Sequence, residues 1–342
     1  MKILFRCDSS LLMGTGHLMR CLSLARLLRE KHHEVSFLTR RTTGNVNQVA
    51  KDQGFSVTEW DDCENHENFE TYDADQTEAF IKTFKPDWVI LDHYDLGKTW
   101  EKRISHLAKI FVIDDLLREH DCLALLDQNY RLQGTDPKRQ VTLKCVLFLG
   151  PEYVLLNEHF KNKKPIVIRP KVERVLIFFG GTDSTGETLR FLDTVSAGGL
   201  SVTWVIVIGK NNPDHEKIKA LSEKNPCIEL HIQTPDMASV MASCDLFVGA
   251  GGTVTWERCY LGLPAICIAT ASNQIKIAED LASSQVHIFL GEAVNVSAEQ
   301  VQRSIRQASE DVHLRETLHK NSLSLKVGAR IPEIVELLSR QV

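Results

Sequence analysis

Short apolar runs alternate with stretches of helical period along almost the whole of this chain, and that alternation limits the fold more than any other feature. Candidate strands are Lys2–Phe5, Glu34–Leu38, Trp88–Leu91, Ile110–Ile113 and Val146–Leu149, then Val175–Phe179, Val202–Ile208, Ile228–His231, Leu246–Val248 and Ala265–Ile268. Runs this short and this rich in Val, Ile and Phe suit strands buried on both faces of a parallel sheet. Between them lie amphipathic helices. The clearest is His17–Glu30, where Leu18, Cys21, Leu22, Ala25 and Leu28 form one stripe and Arg20, Ser23, Arg26 and Arg29 lie off it. The pattern predicts α/β architecture of the doubly wound, Rossmann-like kind with right-handed crossovers.

At 342 residues the chain is longer than one core usually spans, so two domains are expected. The segment Lys161–Lys171 is basic, holds two prolines and has no period, and a strong strand follows it. The expected division is residues 1–160 for a first domain, 161–172 for a linker and 173–342 for a second. The last helix is expected to pack back on the first domain. The halves share a plan, a strand running into a glycine loop, without a residue-level repeat.

The net charge is −5, which does not suit coating nucleic acid or an anionic membrane. No apolar run is long enough for a membrane helix, and the N-terminus reads as a first strand, not as a signal peptide. The nine cysteines are scattered, form no CxxC and mostly sit in apolar runs. They read as small buried hydrophobes of a cytoplasmic protein. Cys63 with His66 has a metal-like spacing but no second pair nearby, so no metal and no cofactor are expected.

Three loops carry the chemistry. Met13-Gly14-Thr15-Gly16-His17 follows the first strand and opens a helix. Its glycines let backbone approach a ligand, and the helix start offers unpaired N–H groups suited to phosphate. His17, in the first turn, is a candidate base, because the local field disfavours imidazolium. The alternative is a glycine turn whose histidine only caps or packs. The third glycine of a dinucleotide fingerprint is missing. In the second loop, Gly249-Ala250-Gly251-Gly252-Thr253 links a strand to a helix that Thr253 can cap and Gly262 can end. Glu257, one turn on, can accept two hydrogen bonds from a ribose diol, or else is a solvated helix glutamate. The third is Phe179-Gly180-Gly181-Thr182-Asp183, again at a strand end.

Other polar strand ends are Asp92-His93-Tyr94-Asp95 and Asp114-Asp115, which either position a sugar, assist proton transfer, hold Mg²⁺ or simply cap helices. Asn273-Gln274 suits sugar hydroxyls or an acetamide, or is an ordinary helix start.

With these loops in hand, the chain resembles the UDP-sugar hydrolases of the pseudaminic acid pathway (the PseG family), which share a two-domain GT-B fold with the MurG-type glycosyltransferases. The resemblance runs through Arg6-Cys7-Asp8-Ser9, Gly14–Leu22, Leu91-Asp92-His93-Tyr94 and Leu149–Tyr153. It continues through Gly180–Asp183, Met237, Gly249–Thr253, Trp256–Cys259, Asn273-Gln274 and Gly328–Ile331. It implies a GT-B fold with an interdomain cleft, closing over a nucleotide-sugar substrate. It implies hydrolysis of UDP-2,4-diacetamido-2,4,6-trideoxy-β-L-altropyranose to UDP and free sugar, a step toward surface glycans such as those of flagellin. His17 would be the catalytic base, activating water for inversion by C–O cleavage. Gly251, Gly252, Thr253 and Glu257 would hold UDP, and Tyr94 would face the sugar. Asp8, Gly14, Thr15, Gly16, Gly181, Thr182, Met237, Asn273 and Gln274 are the other expected substrate contacts. The roles of Asp92, Asp95 and Asp115 stay open. The partners expected are the nucleotide-sugar and water, with the chain a monomer or weak homodimer. The acidic stretch Asp61–Asp75 matches nothing and reads as a surface loop. A glycosyltransferase on the same fold is the main rival, with a hydrolysing epimerase and a non-catalytic sensor behind it.

Overall fold

A computed structural model describes residues 1–11, 13–61, 68–132, 138–183, 185–196 and 200–340. Cys63, His66 and part of the acidic stretch lie outside these. The chain divides into two compact units: one takes Met1–Asn129, Asp136–Asn157 and Gly328–Val342, the other Tyr130–Thr135 and Glu158–Val327.

The first unit holds β1 (Lys2–Cys7), β2 (Glu34–Arg41), β3 (Ser56–Asp61), β4 (Trp88–Asp92), β5 (Lys109–Ile113), β6 (Ala124–Asp127) and β7 (Val146–Leu149). They form one parallel sheet in the order β3-β2-β1-β4-β5-β6-β7. Each central strand feeds two cores, because successive side chains point to opposite faces. Ile3, Phe5 and Cys7 of β1 pack with Leu18, Cys21, Leu22 and Ala25 of the helix Gly16–Glu30, whereas Leu4 packs with Leu38, Val89 and Leu91 on the other side. The closing helix Ile331–Ser339 adds Ile334, Val335 and Leu338 to the first of these cores. Ile334 and Leu338 are fully buried. Each is worth roughly 1.5–3 kcal/mol, which explains why the last residues group with the first unit.

The second unit holds β8 (Arg174–Phe178), β9 (Thr203–Ile208), β10 (Ile228–Ile232), β11 (Leu246–Ala250), β12 (Ala265–Ala269) and β13 (Ile288–Glu292), parallel in the order β10-β9-β8-β11-β12-β13. The expected linker groups with this unit. Ile166 donates its N–H to Leu261 O at 2.9 Å, and the buried Val172 joins the core.

The sheets differ from the sequence reading at β3, β6 and β13. The first and last are edge strands whose side chains are only partly buried, and β6 has four residues, too few to show a period. Both sheets reverse direction of growth once, between β1 and β4 and between β8 and β11. At such a switch point neighbouring loops run opposite ways and leave a crevice beyond the strand ends, where open α/β sheets bind ligands.

Candidate functional site

The switch point of the first unit brings together residues far apart in sequence. Cys7 and Asp92 are paired across β1 and β4, so the glycine loop and helix after β1 stand beside the turn after β4. Gly14 takes φ +79°, a conformation that favours glycine, and its N–H bonds Ser10 O at 2.9 Å. Thr15 is exposed and its side chain makes no capping bond. The helix starts at Gly16, and the following His17 is 5% exposed.

His17 Nδ1 lies 2.5 Å from Asp92 Oδ1. Asp92 is fully buried. Burial opposes its ionisation, yet Arg20 and then His17 hold its carboxyl well below the usual carboxylate range. An ionised Asp92 accepts only, so Nδ1 carries the proton and the lone pair sits on Nε2. That nitrogen has no partner among the described residues. Arg20 grips the same carboxylate twice, through Nε to Oδ2 and Nη2 to Oδ1, both at 2.6 Å. Its Nη1 also donates to Asp115 Oδ2 at 3.2 Å. Tyr94 donates from Oη to Asp115 Oδ1 at 2.9 Å, and its ring meets His17 edge to face with centroids 4.5 Å apart. Burial and then Asp115 push the phenol above its ordinary value, so it stays a neutral donor.

Several expectations need correction here. Asp8, expected as a substrate contact, is buried and bonded to protein partners. It is 1% exposed and receives Arg6, Arg40 and His93, with Arg40 Nε at 2.6 Å and His93 Nε2 at 3.0 Å. Arg6 in turn binds Asp73. His93 Nδ1 accepts the Asp95 N–H at 3.0 Å, so Nε2 carries the proton that goes to Asp8. This network fixes the turn that presents Tyr94. Asp95 contributes its backbone, and its carboxylate is exposed. Asp114 and Asp115 cap no helix. Asp114 accepts Leu116 N–H at 3.1 Å in an irregular turn and pairs with Arg118. Arg20, off the apolar stripe, is a further member of this cluster that the loop motifs do not single out. Its place three residues after His17 puts both on one helix face, which was the available signal.

The second unit's switch point is built from backbone and unpaired groups. Gly180 takes φ +101°, and Gly181 O accepts Gly209 N–H at 2.9 Å. Thr182 is half-buried, while Asp183 is buried and caps the next helix by accepting the N–H groups of Glu187 (3.0 Å) and Thr188 (2.8 Å). At Gly249 a Cβ would lie 1.9 Å from Phe178 O, so only glycine lets β11 run this close to β8. Gly251 packs on Gln274. Gly252, at φ +93°, is the N-cap of the helix Thr253–Leu261; Thr253 is its first residue and not its cap. Gly262, in the left-handed conformation, ends it.

Glu257 has no hydrogen-bond partner among the described residues, and burial pushes its carboxyl up to about 7. Asn273 and Gln274 lie in the first turn of the helix Ser272–Ser283. Asn273 is exposed. Gln274 Oε1 accepts Thr270 N–H at 3.0 Å, while its amide nitrogen is unpaired among the described residues. Met237 opens the helix Met237–Ala242, which Asp236 caps. Open N–H groups, an unpaired carboxylate and an unpaired amide fit an anionic, hydroxyl-bearing ligand. Among the described residues no cluster of three or more His, Cys, Asp or Glu could hold a metal ion, and no helix is long and apolar enough to cross a membrane.

Comparison with known proteins bears on both units. Residues 176–330 match the glycosyltransferase family 28 C-terminal domain. A UDP-2,4-diacetamido-2,4,6-trideoxy-beta-L-altropyranose hydrolase of Campylobacter jejuni is 27% identical over 292 residues, 82% of this chain and 96% of that protein. An uncharacterized protein of Methanocaldococcus jannaschii is 27% identical over 281 residues, 78% of this chain; the match spans only 55% of that longer protein. The crystal structure of MurG from Acinetobacter baumannii superposes with a TM-score of 0.71 at 15% identity, covering 99% of each chain. The chain has the GT-B fold of two parallel α/β units.

Proposed function

We propose that the protein hydrolyses a UDP-linked 2,4-diacetamido-2,4,6-trideoxy sugar, releasing UDP and the free sugar. The observation that carries this reading is the His17–Asp92 pair at 2.5 Å, with Asp92 ionised and His17 Nε2 unpaired. The likeness to the Campylobacter hydrolase, across 96% of its length, supports the choice of substrate. The resemblance of the loop motifs supports it too.

The two units divide the work. In the second, the glycine loops and helix starts take the diphosphate, and Glu257 takes the ribose hydroxyls. In the first, His17 Nε2 removes a proton from water as its oxygen bonds to the anomeric carbon. The bond from that carbon to the UDP oxygen breaks, and its electron pair leaves with the diphosphate. Backbone N–H groups aimed at the departing oxygens stabilise the charge. Asp92 keeps the imidazole in the tautomer that can accept a proton, and then offsets its positive charge. General-base help of this kind is worth roughly 10²–10⁴ in rate.

The family 28 match and the MurG-like fold favour a second reading, transfer of the sugar to an acceptor. The two separate in one experiment. The protein is incubated with the UDP-sugar, EDTA and no acceptor, and UDP and free sugar are followed by NMR. Rapid release of both is the expected result. No release by folded protein that still binds UDP overturns hydrolysis and leaves transfer.

A further inference from the structure

We infer that Asp115 is a positioning residue whose charge, passed through Arg20, lets the His17–Asp92 pair take up a proton without the cluster becoming cationic. The inference rests on His17 acting as the base. Arg20 presents a problem to that role. It binds both oxygens of Asp92 at 2.6 Å, which neutralises the carboxylate meant to support His17. Were these three the whole cluster, proton uptake would turn a neutral, nearly water-free group into a cation, at a cost that grows in low dielectric.

Asp115 removes that difficulty. Its Oδ2 accepts from Arg20 Nη1 at 3.2 Å and its Oδ1 from Tyr94 at 2.9 Å. The Arg20 guanidinium therefore lies between two carboxylates, and burial notwithstanding it is held charged by Asp92 and then by Asp115. The cluster carries one net negative charge before the proton arrives and none after it. The Tyr94 bond also ties the aromatic wall beside His17 to the same carboxylate, so one side chain sets both the charge and the shape of the site.

The other groups facing His17 do not change this count. Cys21, on the same helix, donates to Asp92 Oδ2 at 3.5 Å, and burial and then Cys7 of β1 push its thiol upward, so it stays a neutral donor. Tyr94 is a neutral phenol. His93, on the turn after β4, spends its nitrogens on Asp8 and the Asp95 backbone. Asn129 reaches only the backbone oxygen of Asp115.

The test reads the free protein, so it does not depend on turnover. Histidine ring signals are titrated by NMR in the wild type, with His17→Ala identifying the signal. Asp115→Asn is expected to move the His17 midpoint to lower pH by about half to one unit, and Arg20→Gln to move it to higher pH. Asp115→Glu is expected to restore the wild-type midpoint, and Tyr94→Phe to leave it in place. Opposite shifts in the first two variants are the signature of charge; loosening of the site alone would not give opposite signs. No shift in a folded Asp115→Asn protein, or shifts of the same sign in both, overturns the inference. If the opposite shifts are seen while no UDP-sugar is hydrolysed, the charge relation stands and the reading of the function falls.

Discussion

The two switch points of this chain are made of the same parts, a parallel strand, a glycine loop and a helix start, and are finished in opposite ways. In the first unit nearly every polar side chain is already paired: His17, Asp92, Arg20, Asp115 and Tyr94 form one connected group with Nε2 of His17 left over. In the second unit Asp183 is paired but two other polar groups are left open: Glu257 has no partner among the described residues, and Gln274 is half satisfied. Such groups cost free energy until a ligand satisfies them. The difference teaches how to tell a site that performs chemistry from one that holds a ligand. On the proposed function, the first is satisfied in advance so that one atom is poised, and the second is unsatisfied in advance so that binding completes it.

That contrast can be broken at either end. The largest effect is expected from His17→Ala, which should lower kcat by about 10³–10⁴ while UDP affinity, measured by calorimetry, stays within twofold. Asp92→Asn should follow with a fall in kcat of about 10²–10³, because an amide can stabilise the wrong tautomer. It should also lower stability at neutral pH. Asp92 is held below its ordinary range, so its contribution to stability is present above the unfolded carboxylate value and is lost as pH falls toward its depressed one. Wild type and variant should converge in urea midpoint as the pH is lowered.

Glu257→Gln is the corresponding blow to the second unit. It should weaken UDP binding about tenfold with little change in kcat at saturation. Because burial raises this carboxyl to about 7, the free protein holds a proton there that ligand hydroxyls displace. Affinity should therefore rise between pH 6 and pH 8 in the wild type, and less in the variant; the difference between the two cancels the titration of UDP itself. The sign for stability is opposite. Glu257 stabilises the free protein in acid, and that contribution disappears as pH rises through about 7, so the variant should gain relative to wild type at alkaline pH.

The smallest effect belongs to structure alone. His120 lies between Glu101, at 2.6 Å, and Asp114, and although burial opposes the charge these carboxylates raise it to about 9. Its stabilisation is fully present below about 6.5 and lost as pH rises through about 9. His120→Gln should lower Tm by roughly 2–4 °C at pH 6, and by less at pH 10, with kcat unchanged.

The sequence made some of this legible and hid the rest for physical reasons. The central strands could be read because burial on both faces leaves only apolar residues in them, as in Ile3–Phe5 or Val205–Ile208. The edges β3 and β13 could not, since partial exposure permits Thr58, Glu59 and Gly291 there. The glycine loops announced themselves, because Gly249 and Gly252 answer local constraints of backbone approach and positive φ. Asp8 misleads, because an aspartate at a strand end looks the same whether it meets a ligand or two buried arginines and a neutral histidine. Arg20 was missed because its partners, Asp92 and Asp115, are distant in sequence and meet it only through the strand order. Cysteines show the same limit: Cys122 and Cys145, read as isolated hydrophobes, lie with sulfurs 3.7 Å apart at the starts of neighbouring strands.

In the proposed reaction His17 Nε2 directs water at the anomeric carbon of the nucleotide-sugar. The most direct test is to run the reaction in water enriched in heavy oxygen and to locate the label by mass spectrometry, with the anomeric form of the fresh product read by NMR. Label only in the released sugar, inverted configuration, and loss of the reaction in His17→Ala protein that still binds UDP are the expected results. Label in the UDP phosphate, retained configuration, or full activity without His17 would contradict it.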